Sequence, residues 1–203
     1  MKIICIGRNY VNHAKELNNA VPTVPIWFMK PDTSLIIKNR PFYHPAFSDE
    51  IHFETELVYR INKVGKHIDE KFAHTSYNAI GIGFDFTARD LQSTFKAKGL
   101  PWEPAKAFDG SAPISEFIPV EEFESLNSIN FSMKKNGELT QQGNSSDMIF
   151  SIDKLIAYVS QFVTLKIGDL IYTGTPAGVG PIEIGDKLEA FIGDKLMLKT
   201  EIR

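Results

Sequence analysis

At 203 residues the chain is long enough to bury one sizeable core, and 43% hydrophobic with 23% charged residues excludes a disordered or fibrous protein. A formal charge of −3, with Lys and Arg scattered along the chain, excludes the basic face of a nucleic-acid binder. The single cysteine, Cys5, excludes an internal disulfide and a cysteine-rich zinc site.

The chain opens with a predicted strand from Lys2 to Gly7, in which Cys5 reads as a small buried hydrophobe. The run is too short for a signal peptide, and no stretch reaches the roughly 20 apolar residues of a membrane span, so a cytoplasmic protein without membrane contact is expected. A helix follows over Tyr10 to Leu17, then a loop stopped by Pro22 and Pro25. "IWFMKP" and "SLIIKN" are apolar runs of strand length.

"HFETELVYR", residues 52 to 60, has the period-two pattern of a strand and supports two readings. In one, Phe53, Leu57 and Tyr59 face a core while His52, Glu54, Glu56 and Arg60 face water. In the other, Glu54 and Glu56, about 7 Å apart on one face, are presented to a site. "IDEKFAHTSYN" has helical spacing and leads into "AIGIGFDFTARDLQ". There Asp85 sits in an apolar run, where an ionised carboxylate needs a partner. That partner is Arg89, or Asp85 belongs to a site. Thr87 to Asp90 resembles a capping box that starts a helix.

Residues 96 to 115 form a Gly- and Pro-rich irregular segment of a length that is often functional. Asn136-Gly137 between two β-like runs predicts a two-residue hairpin. "SIDKLIAYVSQFV" is an amphipathic helix capped by Ser151 or Asp153. "GDLIYTGTPAGVG" is a strand entering a glycine-rich loop without the GK[ST] of a phosphate loop. Residues 185 to 202 read as a closing hairpin. The expected class is α+β, dominated by strands, with peripheral helices.

Glu54, Glu56 and Asp85 together are three oxygen donors with no cysteine nearby, a set suited to Mg²⁺ or Mn²⁺ with positions left for a chelating substrate. His13 and Glu16 lie three apart on one helix face; the bare spacing fits an exposed pair.

The ordered set "GRNYVNHAKEL", "FMKP", "ETE", "GFDFTARDLQ", "KGLPWEPAKAFDGSAP", "NGELTQQGNSSDMIFSI" and "GDLIYTGTPAGVG" resembles the fumarylacetoacetate hydrolase superfamily, and its short acylpyruvase and oxaloacetate decarboxylase branch in particular. The resemblance implies one catalytic domain over 1–203 without an extra N-terminal domain, a mixed β-roll or distorted barrel, and a homodimer. It places the metal on Glu54, Glu56 and Asp85. It makes His13 and Glu16 a water-activating dyad and Lys106 a cation beside the substrate. Arg89 and Gln92 bind substrate oxygens, or Arg89 pairs with Asp90 or Asp109. Thr175 and the loop N–H groups hold a carboxylate. Arg8 either reaches the substrate or anchors the first strand. His52, Trp27 and Trp102 pack, and residues 14 to 30 form a lid.

The implied reaction is metal-dependent hydrolysis of acylpyruvates to pyruvate and a carboxylic acid. The alternatives are oxaloacetate decarboxylation or tautomerisation, isomerisation of 2-hydroxyhepta-2,4-diene-1,7-dioate, and a non-catalytic metal-binding scaffold. The expected partner is a small 2-oxo or 2,4-dioxo acid.

Overall fold

A computed structural model describes residues 1–17 and 20–203. The expected lid over 14 to 30 therefore falls partly outside the described residues. Strands dominate, with few helices, as the composition of the apolar runs predicts.

The largest sheet has six strands in the order Ile26–Lys30, Ile3–Gly7, Leu170–Tyr172, Thr55–Ile61, Tyr77–Phe84, Ile118–Pro119. The Ile3–Gly7 and Leu170–Tyr172 strands run parallel, and every other neighbour in that sheet is antiparallel. A four-stranded sheet contains the Asn136-Gly137 hairpin and the closing hairpin, Lys187–Ile192 with Lys195–Glu201. Both hairpins are where local turn chemistry puts them: Asn136 and Gly137 have φ of 54° and 87°, the paired positive values a tight hairpin turn requires. This sheet packs against the Tyr77–Phe84 strand.

Thr55–Ile61 lies inside the large sheet and is covered on both faces, so only Arg60 among its seven residues escapes full burial. The half-buried alternation is therefore overturned: Glu54 and Glu56 do not face water. A strand with both faces packed shows no in–out alternation.

Helix Ile152–Val159 buries Ile152, Leu155, Ile156 and Val159, the i, i+3, i+4, i+7 stripe, and Ser151 caps it by accepting from the Lys154 N–H at 3.4 Å. The "IDEKFAHTSYN" run forms a 3₁₀ helix, Glu70–Thr75, rather than an α-helix. Helix Arg89–Lys98 forms as expected but without the capping box: its N-cap is Ala88 and no side chain caps it. Thr87 is diverted inward, and Asp90 accepts from Ser48 Oγ and the Asp49 N–H. The helix ends on Gly99 at φ 64°, a left-handed stop that Gly adopts without a Cβ penalty. Residues 96 to 115 are more ordered than expected, holding a short helix Glu103–Lys106 and the strand Ala112–Pro113. No helix of the described residues is long and apolar enough to cross a membrane.

Candidate active site

Cross-strand register brings the three acids together. Glu56 pairs with Gly83 and Thr55 with Phe84, so Glu54 and Asp85 leave the two adjacent strands side by side, and the Asp85 N–H donates to the Glu54 carbonyl at 2.8 Å. Gly83 is needed opposite Glu56, because a Cβ there would lie 2.7 Å from the Tyr172 ring and 2.8 Å from the Pro113 carbonyl oxygen. One carboxylate oxygen from each of Glu54, Glu56 and Asp85 lies within 4.8 Å of the others, and all three residues are buried.

The acids are not short of cations. Arg89 Nη2 donates to Glu54 Oε1 at 2.6 Å, and Lys106 Nζ donates to Glu54 Oε2 and Asp85 Oδ2, both at 2.8 Å. Lys106 also donates to Thr87 Oγ1 at 2.6 Å, which commits all three ammonium hydrogens. Lys30 Nζ lies 2.8 Å from Asp85 Oδ1 as an ion pair. Its three N–H groups are shared among the carbonyls of Phe86 (3.3 Å) and Ser111 (3.1 Å), Ser111 Oγ (2.9 Å) and the Lys106 carbonyl, all within hydrogen-bond distance. Three carboxylates are thus matched by three buried cations.

The match is uneven. Burial alone would raise the Glu54 carboxyl, but Lys106 and Arg89 hold it well below the usual carboxylate range. Glu56 goes the other way: burial, then the negative charges of Asp85 and Glu54, push it well above its ordinary value. Its donor is the Gly174 N–H at 2.7 Å. Glu56 is thus the one acid of the three without a cation bonded to it among the described residues. The all-oxygen donor set therefore fits a divalent cation, held by Glu54, Glu56 and Asp85.

His13, buried on helix Val11–Glu16, has Nδ1 3.1 Å from Glu16 Oε2. Glu16 Oε1 in turn accepts from the Gly178 N–H at 2.9 Å, so the glycine-rich loop fixes the carboxylate that orients the imidazole. The pair is only half the exposed one that spacing alone suggests: Glu16 is exposed and His13 is buried. Thr175 lies at the same loop, but its Oγ1 already accepts from Gln141 Nε2 at 2.8 Å. Of the loop N–H groups expected to hold a substrate carboxylate, Gly174 serves Glu56 and Gly178 serves Glu16.

One cavity is lined by the three acids, His13, Lys106, Arg89, Gln92, Thr175 and Arg8, so nine of the ten anticipated site residues share it. The tenth, Glu16, stands behind His13. Arg89 pairs with Glu54 and not with Asp85, Asp90 or Asp109, and Nη1 donates to Gln92 Oε1 at 2.6 Å. The first strand is anchored by Asn9, whose Nδ2 donates to the Phe150 and Thr173 carbonyls, rather than by Arg8. Trp27 packs against the core, whereas Trp102 lines the cavity beside Phe28. His52 pairs with Glu50 at 2.8 Å and does not line the cavity.

Lys30 and Gln141 carry no local signal for their places. The run "IWFMKP" reads only as a strand; the long-range fold of residues 106 to 111 supplies the acceptors that bury Lys30. Gln141 accepts from the Thr55 N–H at 3.0 Å and donates to the Pro176 carbonyl at 2.9 Å, tying the acid-bearing strand to the loop.

Residues 2–203 match the family model for the fumarylacetoacetate (FAA) hydrolase C-terminal domain. The mitochondrial oxaloacetate tautomerase FAHD1 of Mus musculus is 42% identical over 201 residues, 99% of this chain and 91% of that protein. Oxaloacetate tautomerase YcgM of Escherichia coli strain K12 is 44% identical over 188 residues, 92% of this chain and 86% of that protein. The crystal structure of fumarylpyruvate hydrolase from Pseudomonas aeruginosa in complex with Mn²⁺ and pyruvate superposes with a TM-score of 0.95 at 32% identity, covering 100% of this chain and 89% of that one. The acid cluster and its loop thus lie in a fold shared along nearly its whole length with these proteins, and the chain belongs to the fumarylacetoacetate hydrolase family.

Proposed function

We propose that the protein is a divalent-metal-dependent enzyme of small enolisable 2-oxo acids, and that its main reaction is keto–enol tautomerisation of oxaloacetate. The observation that carries the reading is a buried three-acid cluster sharing one cavity with His13 and Lys106, in a chain similar to two oxaloacetate tautomerases. This displaces acylpyruvate hydrolysis from first place.

Tautomerisation moves a proton between C3 and the 2-oxo oxygen and breaks no C–C bond. His13 takes the C3 proton: with Nδ1 turned to Glu16, Nε2 is the nitrogen left to accept it. Glu16, fixed by Gly178, orients the ring and favours the imidazolium that forms. Lys106 puts a positive charge beside the developing enolate. Its three N–H groups are committed to Glu54, Asp85 and Thr87, so it acts through its field unless one of them is released. Arg89 and Gln92 hold a substrate carboxylate at the cavity wall. Mg²⁺ or Mn²⁺ on Glu54, Glu56 and Asp85 would supply Lewis-acid stabilisation of the enolate. Loss of carbon dioxide is a different step: the keto form breaks its C3–C4 bond and leaves the enolate of pyruvate, whose charge the same Lys106 field would stabilise. The 1–203 chain forms one catalytic unit of the family's mixed β-roll type, acting as a homodimer.

Hydrolysis of a 2,4-dioxo acid is the second reading, favoured by the His13–Glu16 pair and by the likeness to fumarylpyruvate hydrolase. One set of measurements separates the two. Enol absorbance of oxaloacetate and pyruvate release from acetylpyruvate are followed with Mg²⁺ and with chelator. The expected result is metal-dependent enol–keto exchange well above buffer. His13→Ala should lower it by about 10²- to 10⁴-fold. Metal-dependent pyruvate release without accelerated exchange would make the protein a hydrolase.

A further inference from the structure

Gln141 is the one buried residue of strand Glu138–Asn144, which lies at the edge of the four-stranded sheet. A buried amide must find partners for its polar atoms, so its place calls for a reason that an apolar side chain there would not. The register slips beside it: Met133 pairs with Gln141 and Lys134 with Leu139, which leaves Thr140 unpaired as in a β-bulge. Bulges at sheet edges re-aim a neighbouring side chain. Here the amide is aimed between the acid-bearing strand and the glycine-rich loop.

Its three bonds fix which way the amide faces. Oε1 accepts at 3.0 Å from the N–H of Thr55, the residue between Glu54 and Glu56. Nε2 donates to the Pro176 carbonyl at 2.9 Å and to Thr175 Oγ1 at 2.8 Å. A backbone N–H only donates and a backbone carbonyl only accepts. A flipped amide would therefore set donor against donor at Thr55 and acceptor against acceptor at Pro176. The Nε2 group belongs on the loop, and Thr175 Oγ1 is its acceptor.

That orientation decides the hydroxyl. A threonine hydroxyl has one hydrogen and can either donate or accept. Thr173, two residues earlier, donates its hydrogen to the Leu57 carbonyl at 2.9 Å, so it is used within the fold. Thr175 accepts from Gln141, and no group among the described residues takes its hydrogen. The residue is buried, lines the acid cavity, and follows the Gly174 whose N–H holds Glu56. A hydroxyl hydrogen left over at a cavity wall is a donor for a ligand oxygen.

We propose that Gln141 is a positioning residue: by donating to Thr175 Oγ1 it makes that hydroxyl a fixed donor to an oxygen of the bound 2-oxo acid. This rests on the reading of the cavity as a 2-oxo acid site. A donor oriented before the ligand arrives needs no reorganisation when the ligand binds.

The test is a double-mutant cycle on ligand binding. The probe is oxalate, an unreactive dianion with the same pair of chelating oxygens as a 2-oxo acid, titrated calorimetrically into Mg²⁺-loaded protein. Thr175→Val should weaken binding by about ten- to a hundred-fold, the scale of one hydrogen bond to a charged acceptor, and Thr175→Ser should keep most of it. Gln141→Met should weaken binding when Thr175 is present and add nothing on top of Thr175→Val, because the hydroxyl it acts through is gone. A mere clamp on the loop would weaken binding by the same factor in both backgrounds, and that result would overturn the proposal. So would wild-type affinity in Thr175→Val. Oxalate binding by the wild type without enol–keto exchange of oxaloacetate would leave the proposal standing and overturn the tautomerase reading. No oxalate binding at all would overturn the 2-oxo acid site and the proposal with it. Neutron diffraction from wild-type crystals grown in D₂O needs no variant to fold. The Thr175 hydroxyl deuterium is expected on the cavity side, and a deuterium lying between Oγ1 and Gln141 would overturn the assignment.

Discussion

Lys106 has an acceptor for each of its three N–H groups, and two of those acceptors are buried carboxylates. Its removal therefore acts on stability as well as on chemistry. In metal-free protein, Lys106→Met leaves Glu54 with Arg89 alone and Asp85 with Lys30 alone. Breaking a buried ion pair from one side costs about 3–5 kcal/mol, and the surviving partners put this case near the lower figure. A divalent ion on the same carboxylates replaces the lost charge. The expected outcome is a loss of about 3 kcal/mol in urea unfolding with chelator, a clearly smaller loss with saturating Mg²⁺, and Mg²⁺-dependent turnover down by roughly 100-fold. Equal stability losses with and without Mg²⁺ would show that the metal does not share these carboxylates.

Single residues were legible in the sequence when their chemistry is local. Asn136 and Gly137 sit in a turn that only their own backbone preferences define, and Ser151 caps a helix within three residues of itself. The three acids needed register as well, because Glu54 and Asp85 meet only across two strands; the family resemblance supplied that step. The sequence offers Arg89 three partners, Asp85 and Asp90 close by in the chain and Asp109 in the next motif. Its real partner, Glu54, lies 35 residues away and is chosen by the fold. Lys30 and the inward turn of Thr87 were hidden for the same reason.

At the scale of elements, the glycine-rich loop from Gly174 to Gly178 has an unexpected task. It was expected to hold a substrate carboxylate, yet its N–H groups hold two of the protein's own, Glu56 and Glu16. The loop thus couples the acid cluster to the dyad on helix Val11–Glu16, and Gln141 clamps it to strand Thr55–Ile61. Gly178, at φ 98°, has its would-be Cβ against the Thr140 carbonyl oxygen. Gly185, at φ 100°, has nothing within 4 Å of a Cβ. Both Gly→Ala changes strain the backbone by about 1–3 kcal/mol, but only Gly178→Ala must also move the loop. Gly178→Ala should therefore lose both stability and turnover, and Gly185→Ala stability alone. Thermal melts and the exchange assay on the two variants check this; equal turnover in both would detach the loop from the dyad.

Across the whole molecule, the six-stranded sheet accepts a buried carboxylate at Glu56 that the core would exclude on energetic grounds alone. Its Oε2 has a backbone donor and no cation, so in metal-free protein Glu56 is a net burden on the fold. Glu56→Gln keeps the shape and an oxygen for the Gly174 N–H while removing the charge. The metal-free variant should then melt no lower than the metal-free wild type. With metal the order reverses. A ligand at 100 times its dissociation constant adds about 2.7 kcal/mol to the native state. For a domain of this length that corresponds to a rise of roughly 5–11 °C in the wild type. The Gln variant, one charged ligand short, should show a small fraction of that rise. Melting temperatures of both proteins with chelator and with Mg²⁺ or Mn²⁺ give the four values needed. A full metal-induced rise in Glu56→Gln would remove Glu56 from the ligand set, and a wild type indifferent to both ions would remove the metal site itself.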